Sequence, residues 1–198
     1  MTFHSDETGK KLGMWLFLYT EIILFGGLFV LYAIYFSVYT DDFIVGGKEL
    51  NRMFGLVNTL ILLISSFAVA ASITAIQKKQ RNISFVGISA ALICGLVFLI
   101  NKYFEWGHKI DHGIYPNSEK LLEGPFGQNI FFGLYYVITG LHGIHIIIGM
   151  TLLLISLVFV LQDRISHHRF AMLENSGLYW HLVDLIWIFI FPLFYLVI

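Results

Sequence analysis

The sequence predicts an all-α fold, a polytopic membrane bundle of five transmembrane helices. Of the 198 residues, 58% are hydrophobic and only 13% are charged, and the mean hydropathy is +0.78. Soluble globular domains are about 45–50% apolar and about 25% charged, so a soluble fold would expose much of this apolar surface to water. A transmembrane helix takes about 20 apolar residues, which leaves room for roughly five or six spans. The composition therefore excludes a soluble enzyme domain.

Five long apolar runs divide the chain, and each is expected to be a helix because an isolated strand cannot satisfy its backbone groups in lipid. None of them alternates as the strands of a membrane barrel do. The predicted spans are residues 12–36, 55–77, 83–103, 129–161 and 179–198. A polar segment, 1–11, precedes them, and the connections are residues 37–54, 78–82, 104–128 and 162–178. Nothing indicates a second domain, so residues 1–198 are predicted to form a single membrane domain.

The distribution of Lys and Arg predicts the orientation of the five spans, because cytoplasmic loops carry an excess of both. Seven lie in the N-terminal tail, the second connection and the fourth, namely Lys10, Lys11, Lys78, Lys79, Arg81, Arg164 and Arg169. Five are spread over the longer segments of the other side, namely Lys48, Arg52, Lys102, Lys109 and Lys120. The bias predicts an N-terminus inside and a C-terminus outside.

Charge and motif content exclude several function classes. Twelve Lys+Arg against thirteen Asp+Glu give no basic field for nucleic acid. The single cysteine, Cys94, allows neither an internal disulfide nor a thiolate metal cluster. The first apolar run is too long for the core of a signal peptide. No phosphate-binding glycine loop, nucleophile elbow or HExxH motif is present.

Small residues recur at every fourth position on two predicted spans. Gly87, Ala91 and Gly95 do so on the third span, and Ala68 with Ser72 on the second. This spacing lets helix backbones approach closely. It predicts helix–helix contact and not a ligand site.

Glu21 is the first of the intramembrane polar residues, which are costly in lipid and therefore candidates for function. It lies about nine residues into the first span, about 13 Å deep in a hydrocarbon core about 30 Å thick. One interpretation is a carboxyl hydrogen-bonded to a neighbouring helix, and the other is a proton-holding or gating group. The residues do not separate the two. A protonated carboxyl that donates to a neighbouring helix is expected, since the first span offers no nearby cation.

His142 and His145 lie three residues apart on the fourth span and share one helix face. Ligation of a metal or haem is one hypothesis. Hydrogen bonding between helices is the other, and it is favoured because a cofactor would need more converging ligands. The sequence therefore predicts no metal site and no cofactor in this chain.

The fifth span begins with a second pair at the same spacing, His181 and Asp184. The carboxylate could orient the imidazole by accepting its ring N–H, or the pair could simply neutralise itself. Glu105 closes the third span beside aromatic residues, where a solvated interfacial carboxylate is expected.

These motifs occur together, and in order, in subunit III of the haem-copper respiratory oxidases, which the chain resembles from Lys11 to Ile198. The string from Tyr179 to Trp187 resembles the closing signature of that family, and the run from Gly140 to His145 its penultimate helix. The other matching positions are Glu21 with Phe25, Gly26 and Phe29; Asn58-Thr59 with Ser65-Ser66; Glu105; and Glu174 before the closing helix.

The resemblance implies a subunit with no haem or copper of its own, those cofactors being held by partner subunits. Its expected partners are oxidase subunits I and II and membrane phospholipid, and its expected location is the bacterial inner membrane. It would brace subunit I, hold phospholipid in a cleft and support proton uptake. The assembled enzyme would oxidise cytochrome c, reduce oxygen to water and pump protons. Mitochondrial-type members have seven helices, so the shorter chain lacks one wall of the lipid cleft or borrows it from another subunit.

Two further interpretations stay open. Quinol oxidases have a similar five-helix third subunit, often with Asp where Glu21 stands, and this favours the cytochrome c type. An accessory or assembly membrane protein of a nitric-oxide reductase or an oxidase is the alternative from a different class.

Overall fold

The computed structural model describes residues 7–197 and contains seven helices. They are α1 (Glu7–Val38), α2 (Thr40–Lys48), α3 (Arg52–Gln77), α4 (Arg81–Asp111), α5 (Glu119–Leu122), α6 (Phe126–Leu161) and α7 (Ala171–Tyr195). Over residues 7–197 there is no β-strand, only an isolated bridge between Ser166 and Arg169. The all-α class is confirmed.

Five of the helices are long and apolar enough to cross a membrane, as the sequence predicts. These candidate spans are Lys11–Val38, Arg52–Gln77, Arg81–Asp111, Phe126–Leu161 and Ala171–Tyr195. Residues 1–6 of the polar tail and Ile198 of the fifth predicted span lie outside the described residues. The two short helices, α2 and α5, occupy segments that are predicted as loops.

Two predicted helix limits are wrong, both because polar residues continue a helix into the protein interior. The third span is predicted to end at residue 103, but α4 continues to Asp111 with Glu105 and Lys109 buried on one face. The fifth is predicted from residue 179, whereas α7 begins at Ala171. Glu174 therefore lies in the first turn of α7 and not in the preceding loop.

Four helices form a closed ring. α3 packs against α4, α4 against α6, α6 against α7, and α7 against α3. Trp180 of α7 occupies the centre of this ring and is fully buried. A Cβ on Gly149 would lie 2.8 Å from Trp180 Cε3, and one on Gly95 would lie 2.9 Å from Trp180 Cη2. The two glycines thus make room on α6 and α4 for one large side chain of α7.

The small residues of the second and third spans make the predicted helix contact. Gly87 of α4 faces Ala68 and Ser72 of α3 so closely that a Cβ would clash with the Ser72 hydroxyl. Ala91 of α4 is fully buried, and its carbonyl accepts a hydrogen bond from Ser65 at 3.3 Å. The sequence prediction of close packing is confirmed at these positions.

α1 stands at the edge of the ring. It contacts α6 and α7 but neither α3 nor α4 within the described residues. Phe25 and Tyr32 are its most buried large side chains, and the Tyr32 hydroxyl donates to the carbonyl of Leu193. α1 buries one narrow face, and the polar contacts on that face help to hold it against the ring.

The connection between α3 and α4 meets the connection between α6 and α7 at one end of the bundle. Arg81 forms an ion pair of 2.6 Å with Asp163 and donates to the carbonyl of Leu161. Lys79 and Asp163 have φ values of 61° and 56°, which reverse the chain at the ends of α3 and α6. The two basic connections thus lie on one side of any membrane that the bundle crosses.

Candidate functional site

A cluster of ionisable side chains is buried where α4, α6 and α7 meet. Lys102 Nζ donates to Glu105 Oε2 at 3.1 Å, to Tyr135 Oη at 2.9 Å and to Tyr195 Oη at 2.9 Å. Both tyrosine hydroxyls in turn donate to Glu105 Oε1, at 2.7 and 2.6 Å. All three ammonium protons and both carboxylate oxygens are therefore used. A fully satisfied buried network fixes the relative positions of the helices that supply it.

Glu105 differs from the sequence prediction of a solvated interfacial carboxylate, because only 7% of it is exposed. The continuation of α4 carries it inside the bundle, one turn after Lys102. Sequence reasoning missed Lys102, Tyr135 and Tyr195 as its partners. The signal for Lys102 was present, since Lys and Glu three residues apart share a helix face. Nothing in the sequence distinguishes the two tyrosines from those that face lipid.

Glu21 of α1 is hydrogen-bonded to His145 of α6. The distance from Glu21 Oε2 to His145 Nε2 is 2.8 Å, and the two side chains are 14% and 9% exposed. The structure thus brings together two candidate residues that lie 124 positions apart in sequence. The expected contact of Glu21 with a neighbouring helix is present.

The hydrogen bond of the other ring nitrogen of His145 determines how many protons Glu21 and His145 share. Nδ1 lies 2.7 Å from the carbonyl oxygen of Leu141, which can only accept, so Nδ1 carries a proton. Either a protonated Glu21 then donates to a neutral His145, or a charged imidazolium donates to a carboxylate. In both forms the pair has one shared proton and no net charge. A proton can therefore move between Glu21 and His145 without changing the net charge of the pair.

His181 and Asp184 do not pair with each other as directly as their spacing suggests. His181 Nδ1 lies 2.6 Å from Ser66 Oγ of α3. Asp184 is 3% exposed, and neither of its oxygens has a hydrogen bond of normal geometry within residues 7–197, although Ser66 also lies near it. The Ser66 hydroxyl thus bonds the imidazole and lies near the carboxyl.

The prediction that His142 makes a hydrogen bond between helices is wrong. Its ring is fully buried, and neither ring nitrogen has a hydrogen-bond partner in the described part of the chain. It packs against Phe98 and Trp187 instead, with ring centroids 5.5 and 5.2 Å away. Helix spacing places His142 and His145 on one face, but only His145 lies opposite a polar residue of α1.

The polar residues of α3 connect that helix to α7 and α4. Trp187 Nε1 donates to Thr59 Oγ1 at 3.0 Å, and Trp180 Nε1 donates to Ser65 Oγ at 2.9 Å. The amide of Asn58 accepts from Asn101 of α4 at 2.9 Å. With Ser66 and His181, each of the four polar residues quoted for this helix has a partner on another helix of the ring.

An open cavity of about 540 Å³ lies at the end of the bundle where α3 begins. Lys109 is buried beside it and donates to the carbonyl of Glu49 at 2.9 Å. The wall of the cavity combines charged groups with the rings of two phenylalanines. The lining residues are Lys48, Glu49, Leu50, Asn51, Phe54, Phe104, Glu105, His108 and Lys109.

No three His, Cys, Asp or Glu side chains converge anywhere in residues 7–197 as the ligands of a metal ion would. His145 and Glu21 form a pair, His142 is enclosed by aromatic rings, and Glu174 lies at the surface end of α7. Glu21, Glu105, His145 and His181 instead bond residues of other helices.

Comparison with known proteins places these features in a family context. The family model described as Cytochrome c oxidase subunit III matches residues 2–197. The chain is 34% identical over 199 residues to cytochrome c oxidase subunit 3 of Synechocystis, covering 98% of this chain and 78% of that protein. It is 28% identical to a probable quinol oxidase subunit 3 of Staphylococcus haemolyticus, covering 95% and 89%. It is 27% identical to cytochrome bo(3) ubiquinol oxidase subunit 3 of Buchnera aphidicola, covering 96% and 88%.

Proposed function

The chain belongs to the cytochrome c oxidase subunit III family, and we propose that it is the non-redox subunit III of a proton-pumping haem-copper oxidase that takes its electrons from cytochrome c. The match of the family model to residues 2–197 carries this proposal. The resemblance predicted from the sequence motifs is to the same family, and the relatives are third subunits of oxidases of this class.

Cytochrome c is proposed as the electron donor on two observations. Two relatives named as cytochrome c oxidase subunit 3 are 34% and 33% identical to the chain, against 27–30% for the relatives named as quinol oxidase subunits. Glu21 also stands where quinol-type members often carry Asp. Quinol oxidation is the second candidate, because several similar proteins are quinol oxidase subunits.

In this proposal the polar residues act within one membrane domain, 1–198, and hold no redox centre. Glu21 and His145 hold one proton at the contact of α1 with the ring and support proton uptake by the complex. Glu105, His142, Glu174, His181 and Asp184 are structural. Haem and copper are carried by subunits I and II, which this subunit stabilises.

The proposed location is the bacterial inner membrane, with the N-terminus inside. The ion pair between Arg81 and Asp163 supports this orientation, because it joins two of the three basic segments at one end of the bundle. The charged and apolar lining of the cavity near Glu49 fits a phospholipid. There Lys48 and Lys109 would face the phosphate, and Phe54 and Phe104 would contact the glycerol and the acyl chains.

Purification of the complex tests the proposal. The chain, tagged at its C-terminus, is isolated in a mild detergent, and the visible spectrum and the oxygen consumption of the product are measured. A co-purifying haem- and copper-containing complex that consumes oxygen with reduced cytochrome c is the expected result. Consumption with a quinol alone would establish the second candidate. A preparation without haem would contradict both.

A further inference from the structure

One face of α7 is left uncovered between α1 and α3. Its residues, here called the α7 stripe, are all half-buried or exposed; they are Glu174, Leu178, His181, Leu185, Ile188 and Pro192. α1 reaches α7 on one side, where the rings of Phe29 and Phe189 are 6.1 Å apart, and α3 packs closely on the other. α1 and α3 make no contact with each other within residues 7–197. The stripe is therefore the floor of a cleft with two helices as its walls.

The spacing along the stripe is that of one face of an α-helix. Successive members are four, three, four, three and four residues apart. Their average is 3.6 residues, the period of a straight α-helix, so the stripe keeps to one side of α7 along its whole length. A lipid-facing surface needs only apolar character, whereas this face includes a histidine and a glutamate.

His181 gives the stripe a polar group near the middle of the membrane. It lies ten residues into α7, about 15 Å from the start of the helix, in a hydrocarbon core about 30 Å thick. Its Nδ1 is bonded to Ser66, whereas its Nε2 has no partner in the described part of the chain and is not enclosed by it. Polar groups in the hydrocarbon core face protein or a water-filled cavity.

Glu174 adds a charge two turns closer to the N-terminal end of α7, about 10.5 Å from His181 along the axis. It is half-buried, and it forms no ion pair within residues 7–197. The stripe thus offers an unpaired acidic group near the end of the helix and an unpaired imidazole nitrogen near its middle. A complementary surface would carry a basic group and a hydrogen-bonding side chain at the same separation.

From this geometry we infer that the α7 stripe docks a transmembrane helix of another subunit, which bonds His181 Nε2 through a polar side chain and pairs Glu174 with a Lys or Arg. An acyl chain has no group that could bond Nε2 at this depth. A second copy of this chain fits poorly, because copies in one membrane share their orientation. A two-fold axis along the membrane normal would then set Glu174 against Glu174.

This inference rests on the proposed function, and photo-crosslinking in the intact complex separates the two. Photoreactive benzoylphenylalanine is placed at Leu185, on the stripe, and as a matched control at Ile64. Ile64 is 62% exposed and lies two residues from Ser66 on the far side of α3. After irradiation of the complex in native membranes, the products are identified by mass spectrometry.

The expected product at Leu185 is a covalent adduct with a transmembrane segment of one other oxidase subunit, whereas Ile64 gives lipid adducts. Lipid adducts alone at both positions, or an adduct with a second copy of this chain, would overturn the docking inference. If no oxidase subunit co-purifies with the wild-type chain, the proposed function itself fails.

Variants of His181 test the hydrogen bond. His181→Leu should lower the fraction of this subunit retained in the complex during detergent washing by about fivefold, the effect of one interhelical hydrogen bond of roughly 1 kcal/mol. His181→Gln keeps a group that can bond across the cleft and should restore most of the retention. Ser66→Ala removes the bond inside the chain but leaves His181 Nε2 free to bond the partner. It should therefore lower the retained fraction by less than about twofold. Equal losses for His181→Leu and Ser66→Ala would mean that the bond inside the chain, and not the partner, explains the effect.

Discussion

Lys102 Nζ and Glu105 Oε2 lie 3.1 Å apart inside the bundle, and 9% and 5% of the two side chains are exposed. The ammonium also lies 5.5 Å from the centre of the Trp187 ring. Such a pair is stable in a low-dielectric interior only while every partner is present. The network therefore makes the contact of α4, α6 and α7 sensitive to any single change within it.

We expect Lys102→Met to destabilise the folded subunit by about 3–5 kcal/mol, because it leaves a buried carboxylate without its cation. The double variant Lys102→Met/Glu105→Gln removes both charges and should recover a large part of this loss. The measurement is the free energy of unfolding of the detergent-solubilised subunit. Lys78→Met, at an exposed lysine outside the cavity, is the control and should have little effect. A Lys102→Met variant as stable as Lys78→Met would contradict the structural role of the network.

The centre of the ring gives a second prediction. Gly149→Ala should destabilise the bundle by about 1–3 kcal/mol, because the added methyl group overlaps the Trp180 ring. Gly143→Ala on the same helix is the matched control, since no atom lies within 4 Å of a Cβ at that position. Thermal unfolding midpoints of the two variants, followed by intrinsic fluorescence, compare them. Equal midpoints would show that α6 shifts to absorb the methyl group.

Hydropathy predicts the five spans because burial in lipid depends on the composition of each segment alone. The limits of α4 and α7 depend on partners elsewhere in the chain, such as the two tyrosines whose hydroxyls accept hydrogen bonds from Lys102. Local composition therefore places Glu105 in water, whereas the fold places it in the interior.

The polar pairs show the same division. The depth of Glu21 indicated a contact with another helix, but not that His145 supplies it. His142 and His145 are equivalent in spacing, and their different surroundings follow only from where α1 packs on α6. The period of the α7 stripe was present in the sequence, although it identifies an open face only once the positions of α1 and α3 are known.

Orientation in the membrane is the third prediction. The excess of Lys and Arg in the N-terminal tail and in the second and fourth connections predicts an inside N-terminus. A reporter that is active only outside the cytoplasm should therefore be active when fused after Ile198. Reporter activity from an N-terminal fusion, and none from the C-terminal fusion, would show the opposite orientation.

The fourth prediction concerns cofactors. Both ring nitrogens of His145 are bonded, to Glu21 and to Leu141, and His142 is enclosed by Phe98 and Trp187, so neither histidine faces an open ligand site. The subunit separated from its complex should contain no stoichiometric haem, copper or iron. Metal analysis and the visible spectrum measure this directly, and one equivalent of any of the three would overturn it.

The last prediction concerns Glu21, whose hydrogen bond to His145 is a polar contact of the peripheral helix α1. Because His145 Nδ1 donates to Leu141, Nε2 can accept from an amide, so Glu21→Gln keeps a hydrogen bond at the same position. This variant should assemble normally and retain most oxygen reduction. Glu21→Ala leaves a cavity and an unpaired imidazole nitrogen, and it should weaken the association of the subunit with the complex.

Carbodiimide labelling and the turnover of the Glu21→Gln variant test whether Glu21 supports proton uptake or is obligatory for it. Thr20→Ala is the control for assembly, because Thr20 is exposed and bonds only the carbonyl of Phe17 in its own helix. A hydrophobic carbodiimide, which attacks protonated carboxyls, should modify the wild type at Glu21 and spare Glu21→Gln. The shared proton can be held by either partner, so losing the carboxyl removes a storage site without blocking a path. If Glu21→Gln assembles but has no turnover, Glu21 is instead an obligatory proton carrier, since the hydrogen bond alone would not have been sufficient.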